Sequence, residues 1–181
     1  MLPARDVLAF WFEECSYDDW FGRQAEFDAR LTARFGATHA ALARGEGFPW
    51  RGSAEGRLAE IIVLDQFSRQ IHRGSPRAFA QDGMALVLAQ EMVAGGHDQA
   101  IPPDRRMFAY MPYMHAESLR VHEEALRLFT ALGDEEILRY EHEHAELIRR
   151  FGRYPKRNAV LGRASTPAEL AYIAESGAGD Y

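Results

Sequence analysis

The chain has 181 residues, a formal net charge of -6 and a pI near 5.6, with 47% hydrophobic and 12% aromatic residues. That composition excludes intrinsic disorder, and the acidic balance excludes a broad duplex-binding face, which needs basic surface to neutralise phosphates. The length fits a single all-helical domain over 1–181, with ample chain for a core.

The single cysteine, Cys15, cannot close an internal disulfide and reads as a small buried thiol. The apolar run at 7–12 is too short for a signal peptide and meets Glu13 and Glu14 at once. No run approaches the length that spans a bilayer. A cytoplasmic protein with no membrane partner, no nucleic-acid partner and no cofactor is expected.

Residues 3–14 read as a short helix, apolar nearly all round and therefore buried. Ser16 followed by Asp19 signals the next helix start, and Trp20, Phe27, Leu31 and Phe35 give its apolar stripe. That helix is expected to run to Arg44 and stop at Gly45. Residues 45–53 form a loop in which Phe48 and Trp50 pack rather than protrude. Helices follow over 54–72 and from Ser75-Pro76 to Gly95-Gly96. Pro103 and Asp104 open a helix through Phe108 that Pro112 breaks or kinks, and 113–132 forms the next. Asp134 caps a helix to Phe151; Thr166, Pro167 and Glu169 read as N-cap, N1 and N3 of a last helix over 167–176. The tail at 177–181 is expected to fray. Nothing alternates with period two, so the chain is all-α, with short connections that favour antiparallel neighbours.

Turning each helix at about 100° per residue shows where polar side chains fall on apolar faces. Asp65, Arg69 and His72 continue the face of Leu58, Ile61 and Ile62. His115 and His122, both placed on the 113–132 helix, sit in its apolar face, and His144 shares a face with Ile137, Tyr140, Ile148 and Phe151. A core-facing Asp65 implies partners from another helix, because desolvation otherwise outweighs its attraction to Arg69. His142 points to solvent. A metal site from these histidines has poor spacing, since seven residues of helix separate His115 from His122 by about 10 Å. No metal is expected.

The stretch 151–169, FGRYPKRNAVLGRASTPAE, carries Arg153, Lys156, Arg157 and Arg163 with no acid until Glu169. Such a basic loop between helix ends suits an anion; equally, its cations neutralise the acid-rich helix before it and that helix's negative C-terminal end.

With these residues in view, the chain resembles a bacterial family, the domain of unknown function 924. The resemblance rests on VLAFWF (7–12), LAEIIVLDQFSRQIHRGSPRAFAQD (58–82), FAYMPYMHAE (108–117) and RFGRYPKRNAVLGRAST (150–166). It implies a tetratricopeptide-repeat-like α-α superhelix of antiparallel helical hairpins. Against the family pattern, DQFPRN stands here as DQFSRQ, MPFMHSE as MPYMHAE and FGRFPHRN as FGRYPKRN, so no catalytic role is carried over to Gln70, Ala116 or Lys156. Asp65, Gln66, Arg69, His115, Glu117, His144, Arg153, Arg157 and Asn158 match.

Three functions follow from this reading. The first is a binding module with a polar groove of Asp65, Gln66, Arg69, Arg73, His115, Glu117, His144, Arg153, Arg157 and Asn158, taking an anionic small molecule or a peptide carboxylate. The second is an enzyme with His115 or His144 as general acid–base and Asp65 as orienter. The third is a purely structural polar core. Phe10, Trp11 and Trp20 could pair two subunits in a homodimer, and core burial accounts for them equally well.

Overall fold

Helix is the only regular structure among the residues described by the computed structural model, residues 1–176; the tail at 177–181, expected to fray, lies outside them. Helices α1 (Ala4–Ala9), α2 (Tyr17–Phe21), α3 (Ala25–Leu42), α4 (Ala54–Ile62), α5 (Ser68–Ile71), α6 (Asp82–Ala94), α7 (Pro103–Met114), α8 (Leu119–Leu132), α9 (Glu135–Phe151) and α10 (Pro167–Ser176) follow in chain order. The fold is all-α. No helix among the described residues is long and apolar enough to cross a membrane.

The helices group into two compact units. The first takes residues 1–73 and 77–112; the second takes 74–76 and the chain from Tyr113 onward.

In the first unit every residue from Leu58 to Ser68 is buried, because α1 and α6 pack against α4 while α3 packs against α5. The helix expected over 54–72 is therefore covered all round rather than on one stripe. Its middle is also not plain α: Val63–Phe67 forms a π-helical turn, as does Phe10–Glu14 after α1. A π turn adds a residue and shifts the faces on either side out of the 3.6 period, which lets both Asp65 and Gln66 point inward. Phe10, Trp11, Phe35, Phe67 and Phe108 form the aromatic centre, with Phe10–Phe35 and Trp11–Phe67 ring centroids 4.9 and 5.4 Å apart. Phe10 and Trp11 are fully buried and Trp20 is half-buried.

Three sequence expectations are corrected here. Ser16 does start a helix, with the reciprocal Ser16–Asp19 capping box, but α2 ends at Phe21 and a new helix begins at Ala25. Gly22 is extended, and a Cβ there would come within 2.3 Å of the Asp18 carbonyl oxygen, so the chain turns off where only glycine fits. Phe48 protrudes at 70% exposure instead of packing, in the short 3-10 helix Phe48–Gly52. Finally, Pro112 does not end its helix; α7 runs through it to Met114, and the break falls at 115–118. His115 therefore lies in a turn, not on one helix face with His122.

The second unit is built on the α8–α9 hairpin, closed by Gly133 in the left-handed conformation and by Asp134, whose carboxylate accepts from the backbone N–H groups of Glu136 and Ile137. Leu147, Ile148 and Tyr154 form its core with Phe151 and Tyr172 against them. The cap of α10 is as read from sequence: the Thr166 N–H donates to Glu169 Oε2 (2.7 Å), and Glu169 N–H donates to Thr166 Oγ1 (3.3 Å).

Candidate functional site

Of the residues assigned to the groove, Asp65, Gln66, Arg69 and Arg73 lie in the first unit. Asp65 is fully buried and meets Arg69 Nη1 at 3.1 Å and Gln66 Nε2 at 2.6 Å, both from its own helical run. Gln66 Nε2 also reaches Met111 Sδ (3.2 Å). Arg69 donates in addition to the Asp65 carbonyl (2.8 Å) and makes a two-point pair with Asp82 (3.0 and 3.1 Å). Arg73 holds Asp28 in the same two-point way, at 2.6 and 3.0 Å. Fork-on-carboxylate pairs of this type are among the strongest available to arginine, and they commit its donors.

His72 is half-buried, with its ring 5.1 Å from that of His39. Ser68 donates to the Leu64 carbonyl (2.6 Å), so its oxygen accepts from His39 Nε2–H at 2.8 Å. The serine proton is thus already placed on a backbone acceptor, which removes a Ser–His nucleophile reading. Burial pulls the His39 imidazole down to about 4, helped by the charges of His72 and Arg77.

His115, Glu117, His144, Arg153, Arg157 and Asn158 lie in the second unit, and three of them, Glu117, His144 and Arg157, converge on a residue outside the expected set, Tyr154. Gly152, at φ 72°, ends α9 in the left-handed conformation and turns the chain so that Tyr154 is fully buried. Each part of Tyr154 is engaged. Its N–H donates to Glu117 Oε1 (2.7 Å), and its carbonyl accepts from Arg163 Nη2 (3.1 Å). The hydroxyl donates to the Met114 carbonyl, and its oxygen lies 3.0 Å from His122 Nε2. The ring carries the Arg157 guanidinium, 4.5 Å above its centroid, and meets the His144 ring edge-on at 5.7 Å.

Behind Tyr154 stand His122 and Glu141, both fully buried. His122 Nε2 donates to the Ala116 carbonyl (2.9 Å), and Nδ1 faces Glu141 Oε1 at 2.7 Å. Glu141 Oε2 has no hydrogen-bond partner among the described residues. Burial raises the Glu141 carboxyl above its ordinary range, against the opposing pull of His122.

The physical origin of this convergence is the end of α7. A helix leaves its last carbonyls without intrahelical partners. Here Met114, His115 and Ala116 offer theirs, and Tyr154, Arg157 Nη1 (3.1 Å to His115) and His122 take them. Arg157 is 4% exposed.

Two of the loop's other cations, Arg153 and Arg163, are paired with acids, neither of them on the helix before the loop. Arg153 forks onto Glu169 (2.7 and 2.9 Å) and holds that carboxyl far below its ordinary range. Arg163 forks onto Glu117 (2.6 and 2.8 Å) and reaches Asn158 Oδ1 (2.9 Å), while Asn158 Nδ2 donates to Ser165. Burial pushes Glu117 up, but Arg163, the Tyr154 N–H and the charge of Arg157 outweigh it and hold the carboxyl below its usual range. His144 donates Nδ1–H to the Tyr140 carbonyl (2.7 Å), which leaves Nε2 as the unprotonated nitrogen. Burial lowers His144 to about 3, and the charges of His115, His122 and Arg157 act in the same direction.

The ten expected residues thus fall into two groups, four in the first unit and six in the second. Sequence reasoning put His122 on the apolar face and Arg163 in the basic stretch but left both out of the groove, and it missed Tyr154 and Glu141. A signal for Glu141 existed, since it lies on the same helical stripe as Ile137, His144 and Ile148. The Arg163–Glu117 pair spans 46 residues and has no local signal. Among the described residues no group of three or more His, Cys, Asp or Glu side chains is placed to hold a metal ion.

A family model described as a bacterial protein of unknown function, DUF924, matches residues 7–177. A solved structure of a protein of unknown function, ATU0120 from Agrobacterium tumefaciens, is similar with 39% sequence identity and a TM-score of 0.90, covering 96% of this chain and 97% of that one. None of the curated proteins matches the chain.

Proposed function

We propose, for a chain that belongs to the DUF924 family of bacterial proteins of unknown function, that it is a binding protein for a small anion, a carboxylate or phosphate, taken by the second unit at the Tyr154 cluster. The observation that carries this reading is the gathering of Arg157, His144 and His115 on one buried tyrosine and one helix end. The half-buried Lys156 adjoins Arg157 in the same loop. Burial and the neighbouring positive charges disfavour a further proton on His144, and a bound anion would offset that cost. Arg69, Arg73 and Arg153 leave the proposal, because each holds a carboxylate in a two-point pair that a ligand would have to displace. Helical hairpins stacked in the tetratricopeptide-repeat-like manner would present such a cluster along one wall, and that arrangement belongs to the proposal. The acid–base alternative ranks below it: a histidine held near pH 3 is neutral but a weak base at neutral pH.

Thermal shift and calorimetry with inorganic phosphate and citrate test the reading, since a ligand of the native state raises the midpoint by mass action. Wild type is expected to gain stability with either probe, and Arg157→Lys and Lys156→Ala to lose most of that gain. If both variants respond as wild type does, the anion site is not in this cluster.

A further inference from the structure

We propose that Tyr154 is a positioning residue for that anion site and that His122 and Glu141 act through it, without touching the ligand. This inference rests on the anion reading above and adds to it a chain of command from a fully buried acid to a ligand-facing cation.

The guanidinium of Arg157 lies over the Tyr154 ring, so the tilt of that ring sets where the cation sits. A phenyl ring alone can swing about its Cα–Cβ bond; a hydroxyl held at the far end stops that swing. Here the hydroxyl is anchored twice, by donating to the Met114 carbonyl and by accepting from His122 Nε2 at 3.0 Å. His122 is itself immobilised from behind. The tyrosine proton is placed on Met114, and the Ala116 carbonyl only accepts, so His122 Nε2 must carry a hydrogen shared between that carbonyl and the tyrosine oxygen. The opposite nitrogen, Nδ1, is then tied to Glu141 Oε1 at 2.7 Å. Glu141 comes from α9, His122 from α8 and Tyr154 from the following loop, so three separate segments agree on one ring orientation.

A buried acid with one oxygen left without a partner among the described residues is an expensive way to fill a core, since each such group costs its desolvation. Its return is orientation: the Glu141 carboxyl fixes the imidazole ring plane, and the imidazole fixes the phenol. His144, edge-on to the same ring, is placed by the same device.

Two isosteric changes separate this from plain core support. Tyr154→Phe keeps the ring beneath Arg157 and removes only the anchor; Glu141→Gln keeps shape and replaces the carboxyl behind His122 with an amide. The direct readout is the Arg157 Nε–H resonance in a ¹H–¹⁵N spectrum, which senses the ring current of Tyr154 whether or not a ligand binds. Both variants should fold, shift that resonance and weaken phosphate or citrate binding about tenfold, the scale of one lost hydrogen bond. An unmoved Arg157 resonance in Tyr154→Phe overturns the positioning role whatever the affinities do. A shifted resonance in a protein whose wild type binds neither probe supports the positioning step and overturns the anion reading. Should Tyr154→Phe fail to fold, Glu141→Gln decides: an unmoved Arg157 resonance there overturns the link from Glu141, and a shifted one supports it.

Discussion

In the first unit Arg69 answers Asp65 and Asp82 directly, cation on carboxylate, in a helix segment buried on every side. In the second, Arg157 is carried on an aromatic ring and a helix-end carbonyl, and the ring is held by a His122–Glu141 pair one step behind. The first arrangement is redundant, because Arg69 keeps one acid if the other is lost. The second is concentrated: Tyr154 supplies its N–H, carbonyl, hydroxyl and ring face to five different side chains. The difference predicts how each unit should fail.

The largest effect falls on the concentrated side. Tyr154→Ala removes a fully buried ring, the hydroxyl that meets His122 and the ring face that carries Arg157. It should cost about 3–5 kcal/mol, the range for truncating a large core aromatic. Urea denaturation checks this; a loss under about 1 kcal/mol would mean that the cluster does not concentrate stability on this residue.

Acid should weaken both units, through one histidine in each. His39 and His144 are held down to about 4 and about 3 when folded, both mainly by burial, against an unfolded value near 6.5. Below pH 6.5 the unfolded chain therefore binds more protons than the native one, and stability falls with pH until each folded value is reached. Each histidine contributes roughly 1.4 kcal/mol per pH unit across its window, to about pH 4 for His39 and about pH 3 for His144. His39→Gln, which keeps a donor for Ser68, should flatten the slope of stability against pH between 6.5 and 4. An unchanged slope would show that His39 takes no part in acid unfolding.

How far these features were legible in the sequence depends on whether their cause was local. Helix type and most boundaries followed from apolar periodicity, and the Ser16–Asp19, Asp134 and Thr166–Glu169 caps followed from spacings of two or three residues. The inward turn of Asp65, His122 and His144 was readable from the same periodicity. The π turns were not, because one residue added to a helix leaves no mark in a pattern that is apolar on both sides. The α2–α3 break was misread because Trp20 kept step with Phe27 while Gly22 left the helix. The Tyr154 hub needed knowledge of where α7 ends, and Pro112 suggested the wrong place. Moving that end to Met114 is what delivers the open carbonyls to Tyr154, Arg157 and His122.

On the redundant side, Asp65→Asn should cost less than the loss of a lone buried partner. Arg69 keeps Asp82, and an asparagine can still accept from Gln66. The expected loss is about 1–2 kcal/mol, the scale of one hydrogen bond to a charged group. Adding Asp82→Asn tests the redundancy itself. The double variant should lose more than the sum of the singles, since only then is the partly buried guanidinium left without either carboxylate. A strictly additive cycle would mean that the two acids do not share the load.

The smallest effect belongs to a pair with the same two-point geometry and none of the burial. Glu124 and Arg127 sit three apart on α8, with Arg127 Nε 3.0 Å from Glu124 Oε2, and their side chains are 41% and 60% exposed. Water already solvates both ions, and ordering two long side chains offsets much of the attraction, so Glu124→Gln should change stability by less than about 0.5 kcal/mol. The change should shrink further when salt is raised, because exposed charges are screened within about 10 Å at moderate ionic strength. Glu124 lies on the same hairpin as His122 and Glu141, so this pair isolates burial as the variable. A loss here as large as that of Asp65→Asn would mean that paired charge alone, and not its removal from water, sets the energetics of both units.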